Sequence, residues 1–116
     1  MQRLRNTAKA GRTLLVGTTN LDAARPAIWN ITGIAATNHK DAERLVEDVI
    51  LASSAIPGIF PPVLIPVVGA SGAVYDEMHV DGGATQQVML FSPGYPLGRV
   101  DSAVGTPVER TLYVVM

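Results

Sequence analysis

The sequence predicts an α/β fold. Its 116 residues, 47% of them hydrophobic, match the length of one domain and can form a core. Short apolar runs such as "LLVG" and "VLIPVV" are typical of strands in a sheet that is covered on both faces. The segment from Lys40 to Ser54, in contrast, repeats its apolar residues with the spacing of an amphipathic helix. We therefore expect helices packed on a sheet.

One helix and two strands are expected in the first 35 residues. "QRLRNTAKAG" is a short helix that ends near Gly11, a suitable C-cap because glycine has no Cβ. "RTLLVGTTN" has the composition of a buried strand, "LDAARP" that of a turn, and "AIWNITGIA" that of a second strand. Residues 12–35 should then form a hairpin or two neighbouring strands.

The helix from Lys40 to Ser54 has the clearest pattern in the chain. Asn38 or Asp41 can cap its start, and acidic residues in the first turn suit the positive end of the helix dipole. The expected buried side carries Ala42, Leu45, Val46, Val49, Ile50 and Ser53. Leu51 falls outside that side, which leaves open that the outer face is covered as well.

The second half of the chain is expected to contain mainly strands and loops. "PGIFPP" is a rigid loop, because each proline fixes its own φ and restricts its predecessor. "VLIPVV" and "AVYDEMHV" are strands joined by "GASG". Residues 92–109 have the composition of a loop, and "RTLYVVM" begins a further strand. Because a domain seldom ends inside a buried strand, we expect the chain to be a piece of a larger one.

Composition argues against several classes of protein. A net charge of -1 and the lack of a basic stripe with interleaved aromatics give no reason to expect a nucleic-acid partner. The chain has no cysteine, so disulfides, thiolate catalysis and zinc fingers are excluded. Residues 49–75 carry no charge, but four prolines interrupt them, so no transmembrane helix is expected. The basic start is followed by too short an apolar run for a signal peptide, which leaves localisation unknown and export of a longer protein open.

Asp81-Gly82-Gly83 is the candidate for chemistry. Asp-Gly between two strand-like runs is by itself a turn signal, and a catalytic carboxylate is the alternative. Strand alternation puts Glu77, His79 and Asp81 on one face, which admits a metal-dependent activity as a further hypothesis. Such neighbours lie about 6.5 Å apart along the strand, so the cluster is incomplete and no metal site is expected. We expect His79 to be a partly buried strand residue whose hydrogen bonds are satisfied.

A nucleophile is not found in this chain. The Gly-x-Ser-x-Gly pattern of α/β serine hydrolases is missing, and Ser71 in "GASGA" has its glycines in the wrong places. Ser53 and Ser54 end a helix, where hydroxyls commonly bond back to carbonyls. "GTTNLD" lacks the lysine of a phosphate-binding loop.

Several stretches together resemble the patatin-like phospholipases, and within them the bacterial members. The resemblance lies in "LLVGTTNLDAARPAIWNI", "LASSAIPGIFPPV" and "VDGG", in this order, and covers roughly residues 12–90. It implies a three-layer α/β/α fold with a central mixed sheet, of which residues 1–116 would be an incomplete C-terminal portion. It also implies a serine acylhydrolase with a Ser-Asp dyad, which uses no cofactor and cleaves carboxylic esters of lipids or related compounds.

The resemblance assigns roles to a few positions. Only Asp81 matches the aspartate of the dyad, while Gly82 and Gly83 match the glycines that let the backbone turn closely behind it. "SSAIPGIFPP" matches the proline-rich segment that approaches the site, whereas "ATQQVML" departs from the Asn and Pro that many members have after their glycines. His79 has no matched role.

The serine elbow and the oxyanion loop of the family precede the part seen here. We therefore expect residues 1–116 to be a partial domain that is inactive alone and requires the N-terminal half of its own domain. The alternative is a small non-enzymatic α/β binding module derived from such an enzyme.

Overall fold

The computed structural model describes residues 1–85, in which three α-helices pack with one sheet. The elements are α1 Gln2–Lys9, β1 Leu15–Asn20, β2 Arg25–Asn30, α2 Ile31–Ala36, α3 Ala42–Ser53, β3 Val63–Val68 and β4 Val74–Asp81. The loop expected over 92–109 and the strand expected over 110–116 lie outside the described residues. None of the helices within residues 1–85 is long and apolar enough to cross a membrane.

The sheet has the strand order β2-β1-β4-β3, and all its described strand pairs are antiparallel. It consists of two hairpins, β1–β2 and β3–β4, that meet along β1 and β4. Six residue pairs join the strands within each hairpin, whereas only three join β1 to β4. The α/β class and the hairpin within residues 12–35 are thus confirmed. The parallel pairs of a mixed sheet and the second helical layer stay predictions about the whole domain.

The prediction of a second strand over "AIWNITGIA" is wrong for the second half of that segment. β2 ends at Asn30, and Ile31–Ala36 form α2. The cause is the side chain of Asn30, whose Oδ1 accepts a hydrogen bond of 2.8 Å from the backbone N–H of Gly33 and so caps the helix. The same oxygen accepts from the hydroxyl of Thr32 at 3.0 Å.

The long helix was placed correctly, but its buried side is rotated from the expected one. α3 begins at Ala42, and its buried residues are Ala42, Val46, Val49 and Ala52. Ile50 lies about 100° around the helix from Val49 and is 50% exposed, so its expected burial is wrong. Leu51 is 60% exposed, so among the described residues the outer face is not covered.

The core forms where α2 and α3 pack on β3. Its buried members are Ile31, Val46, Val49, Ala52 and Ile65. The neighbour of Ile65 on the strand, Leu64, points to the opposite side and is 55% exposed. Because cross-strand partners share a side, the pairs Leu64–Met78 and Val68–Val74 leave an apolar surface open there. One side of the β3–β4 hairpin is therefore covered by helices and the other is not covered by residues 1–85.

The expected end of the first helix at Gly11 and the expected connection of two strands by "GASG" are both confirmed. Gly11 follows α1 with φ +73°, and the N–H of Arg12 bonds back to the carbonyl of Thr7 at 3.2 Å. Gly72 has φ +81° in the turn between β3 and β4, where the N–H of Gly69 donates to the carbonyl of Ala73 at 2.8 Å. Both glycines therefore stand where the backbone is left-handed.

Candidate functional site

Asp81 is the last residue of β4 and lies where the strand turns away from the sheet. Gly82–Ala84 form a single turn of 3₁₀ helix, and Asp81 occupies its N-cap position. The Oδ1 atom of Asp81 accepts a hydrogen bond of 3.1 Å from the N–H of Gly83. Among residues 1–85, no group donates a hydrogen bond to the other carboxylate oxygen, Oδ2. Asp81 itself is only partly buried. Oδ2 is therefore the oxygen available to accept a further hydrogen bond.

The backbone of Asp81 is held by two other segments. Its N–H donates to the carbonyl of Ala55 at 3.0 Å, which ties the end of β4 to the chain just after α3. Its carbonyl accepts from the hydroxyl of Thr19 on β1 at 3.0 Å. The hydroxyls of Thr19 and Thr85 lie 2.9 Å apart, so the far end of the 3₁₀ turn is joined to the same strand. These bonds fix the carboxylate relative to both β1 and α3.

Gly82 is needed for space and not for its φ. A Cβ at this position would lie 2.7 Å from the carbonyl oxygen of Gly17 on β1 and 2.9 Å from its carbon. Neither Gly82 nor Gly83 has a positive φ, so neither glycine uses the left-handed backbone that an Asp-Gly turn signal often reflects. The match of Gly82 to a glycine that lets the backbone turn closely behind Asp81 agrees with this geometry.

The proline-rich segment reaches the site through Ala55, whose carbonyl binds the N–H of Asp81. Beyond it, a compact turn has Gly58 at φ +85° and a bridge between Pro57 and Phe60. The turn leaves Ile59 71% exposed. An apolar groove of about 300 Å³ runs beside it and is lined by Leu51, Ser54, Ala55, Phe60, Pro61, Pro62 and Val63. Thus an apolar surface lies on the segment that anchors Asp81.

His79 is fully buried, two residues before Asp81 on β4, and both of its ring nitrogens have partners. Nδ1 lies 2.9 Å from the hydroxyl oxygen of Thr18, and Nε2 lies 3.3 Å from Oε2 of Glu77. The ring of Trp29 meets the imidazole edge-on, with 5.5 Å between the centroids. The expectation that the hydrogen bonds of His79 are satisfied is confirmed, and its burial is deeper than expected.

These contacts extend into a polar network that connects β2, β1 and β4. The indole N–H of Trp29 donates to the hydroxyl of Thr18 at 2.8 Å, and the side-chain amide of Asn20 donates to Oε2 of Glu77 at 2.7 Å. Sequence reasoning missed Thr18, Asn20 and Trp29, because the residues of the network come from three strands. The run of three polar residues that ends "VGTTN" was the available signal, but it does not reveal which strand lies alongside.

Two further hypotheses were tested by the geometry. Within residues 1–85, no three His, Cys, Asp or Glu side chains come close enough to hold a metal ion, so Glu77, His79 and Asp81 do not form a metal centre there. The hydroxyls of Ser53 and Ser54 donate to the carbonyls of Ile50 and Leu51, at 2.8 and 2.9 Å, in the last turn of α3. Back-bonding of these serines was expected and is confirmed.

The family model described as patatin-like phospholipase matches residues 2–91 of the chain. The matched range contains every described element of the fold as well as Asp81, Gly82 and Gly83. Neither the curated proteins nor the solved structures gave a significant match.

Proposed function

This chain belongs to the patatin-like phospholipase family, and we propose that it supplies the aspartate of a Ser-Asp dyad to a lipid acyl hydrolase. The residue is Asp81, with Gly82 and Gly83 as the glycines that support its position. The observation that carries the proposal is the state of its carboxylate. One oxygen is held by the N–H of Gly83, the other has no hydrogen bond from residues 1–85, and the backbone is anchored to Ala55 and Thr19.

This geometry suits a general base. A serine hydroxyl that donates to Oδ2 of Asp81 would lose its proton to that oxygen as its Oγ attacks the ester carbonyl. The proton then passes to the leaving alcohol as the tetrahedral intermediate collapses to an acyl-enzyme. In the second half of the reaction the same carboxylate takes a proton from water, which attacks the acyl group and releases the fatty acid and the serine. No cofactor enters these steps.

We propose that the serine and the oxyanion donors come from the N-terminal half of the same domain. The 116 residues contain no Gly-x-Ser-x-Gly sequence, and loss of the nucleophile costs a serine hydrolase about 10⁶ in turnover. The open apolar side of β3 and β4, which carries Leu64, Val68, Val74 and Met78, is the kind of surface that the rest of a three-layer domain would cover. Residues 1–116 alone are therefore expected to be inactive and prone to self-association.

The substrates that we propose from the family are lipids with carboxylic ester bonds, and the sequence motifs favour a bacterial patatin-like protein. The deciding experiment uses the complete coding sequence, in which an in-frame Gly-x-Ser-x-Gly should precede residue 1. Hydrolysis of a short-chain nitrophenyl ester and of a phospholipid is measured for the parent, for Asp81→Asn and for Asp41→Asn.

Asp41 is the matched control because it is an exposed aspartate at the start of α3, away from the open side of β3 and β4. Asp81→Asn should lower kcat by about 10³-fold or more, while Asp41→Asn should leave it unchanged. The asparagine at position 81 can still accept from Gly83, so circular dichroism should show that the variant is folded. Undiminished hydrolysis by a folded Asp81→Asn protein would refute the dyad, and lipid binding without any hydrolysis by the parent would favour the non-enzymatic binding module.

A further inference from the structure

Few residue pairs join β1 to β4, although this junction positions Asp81. Only Thr18–Asp81, Thr19–Val80 and Asn20–His79 pair across it. Asp81 is at the end of this ladder, where the strands separate, and strand ends generally fray more easily than centres. Side-chain bonds that cross from β1 to β4 therefore matter for the position of Asp81.

Two such bonds lie on one side of the sheet, Thr18 to His79 and Asn20 to Glu77. The first is diagonal, because Thr18 is paired with Asp81 and not with His79. It thus joins the residue opposite Asp81 to the residue that precedes Asp81 on the same side of β4. The imidazole is fully buried, so water does not compete for its nitrogens.

Groups that can only donate or only accept determine the direction of the hydrogen bonds in the network. The indole nitrogen of Trp29 can only donate, so the hydroxyl oxygen of Thr18 accepts from it. The carboxylate of Glu77 can only accept, so in a neutral imidazole the ring proton of His79 lies on Nε2, which faces that carboxylate, and Nδ1 accepts the one hydroxyl proton of Thr18. The amide of Asn20 is oriented as well, because its Oδ1 accepts from the N–H of Ala23 at 2.9 Å, and its NH₂ therefore faces Glu77.

We propose that His79 is a positioning residue for the reaction of Asp81. In its neutral form with the proton on Nε2, it links Thr18 to Glu77 and holds the end of β4 in register with β1. It does not touch the substrate. The inference rests on the proposed function, since the position of Asp81 matters for turnover only if Asp81 is the base, and misplacement of a catalytic group by about 1 Å can cost roughly 10²-fold in rate.

The test compares three variants of the complete protein in the ester assay, at a temperature where circular dichroism shows each to be folded. Thr18→Val removes the hydroxyl but keeps the shape, Thr18→Ser restores the hydroxyl, and His79→Phe keeps a ring without nitrogens. Thr18→Val and His79→Phe should each lower kcat by about 10- to 100-fold with little change in KM. Thr18→Ser should retain kcat within about threefold of the parent, because its hydroxyl can again bond to Trp29 and His79.

A folded Thr18→Val protein with the kcat of the parent would overturn the proposal, and so would an equal loss in Thr18→Ser. If His79→Phe does not fold, the two Thr18 variants decide the question alone. Asp81→Asn, measured alongside, separates the two ideas: loss of activity in Asp81→Asn with full activity in Thr18→Val would reject the positioning role and leave the dyad standing.

Nitrogen-15 spectra of the imidazoles provide a readout that does not depend on activity. Neutral His79 should show a protonated Nε2 and an unprotonated Nδ1. The opposite tautomer would overturn the proposed arrangement of the network, whether or not the protein hydrolyses esters.

Discussion

The backbone carbonyl of Gly17 on β1 lies directly behind Gly82, at a distance that leaves no room for a side chain. A Cβ on residue 82 would be 2.7 Å from this oxygen. The partner atom belongs to the backbone of a strand in the middle of the sheet, so it cannot rotate away as a flexible side chain would. The glycine after Asp81 is thus required by the packing of two strands.

Gly82→Ala should therefore destabilise the fold. We expect a loss of about 1–3 kcal/mol in the free energy of unfolding, as for other overpacked sites, measured by urea denaturation. Gly69→Ala is the matched control. Its new Cβ would approach the exposed ring of Tyr75 at 3.0 Å, and that ring can move. Equal losses in the two variants would contradict the close approach of Gly17 to Gly82.

Thr18→Val should destabilise the fold through its unpaired partners. The substitution leaves the indole N–H of Trp29 and Nδ1 of His79 without the hydroxyl that they share, and a buried unsatisfied group costs about 1–3 kcal/mol. Denaturation of Thr37→Val provides the comparison, because that hydroxyl is exposed and bonds only within its own turn. A shift for Thr18→Val no larger than that for Thr37→Val would show that the buried bonds contribute little to stability.

Asn30→Ala should weaken α2 and, through it, the whole domain. The loss expected for an N-cap is about 0.5–2 kcal/mol, since the N–H of Gly33 and the hydroxyl of Thr32 lose their acceptor. Asn30→Asp keeps a carboxylate oxygen at the cap and should retain most of the stability. If the alanine and aspartate variants unfold at the same urea concentration, the cap is not what ends β2.

Two neighbouring residues on β3 should differ sharply in their tolerance of alanine. Ile65 is fully buried between the sheet and the helices, so Ile65→Ala should cost about 2–5 kcal/mol. In residues 1–116, Leu64→Ala should cost no more than about 0.5 kcal/mol, because the side chain is 55% exposed. In the complete protein the loss for Leu64→Ala should rise if the other half of the domain covers that side of the sheet. An unchanged value there would argue against the proposed cover.

The elements that the sequence predicts well are those determined by local interactions. The apolar pattern of α3, the glycine after α1 and the "GASG" turn depend on residues close in the chain, and the structure has them where they were expected. The strand expected across "AIWNITGIA" failed because apolar composition alone does not distinguish a buried strand from a buried helix. The cap from Asn30 to Gly33 is the local signal that would have placed the boundary.

The candidate site was predictable only in part. The Asp-Gly-Gly motif identified Asp81 in the sequence, whereas the residues that contact it are known only from the structure. The contact of Gly82 with Gly17 and the bond from Asp81 to Ala55 depend on which strands are neighbours. For the same reason the buried network of His79 was not visible in the sequence, since Thr18 is 61 positions away along the chain.

The short junction between the two hairpins has a consequence for the order of folding. Each hairpin closes over a few residues, whereas β1 and β4 can pair only after a loop of about sixty has closed, at a cost that grows with loop length by roughly 0.6 kcal/mol per doubling. Non-local pairings of this kind form late. In native-state hydrogen exchange, the amides that bridge β1 and β4 should then open at lower free energy than those inside either hairpin. Asp81 belongs to this last-formed part of the sheet, so its carboxylate reaches the place that it has in the folded protein only when the two hairpins have docked.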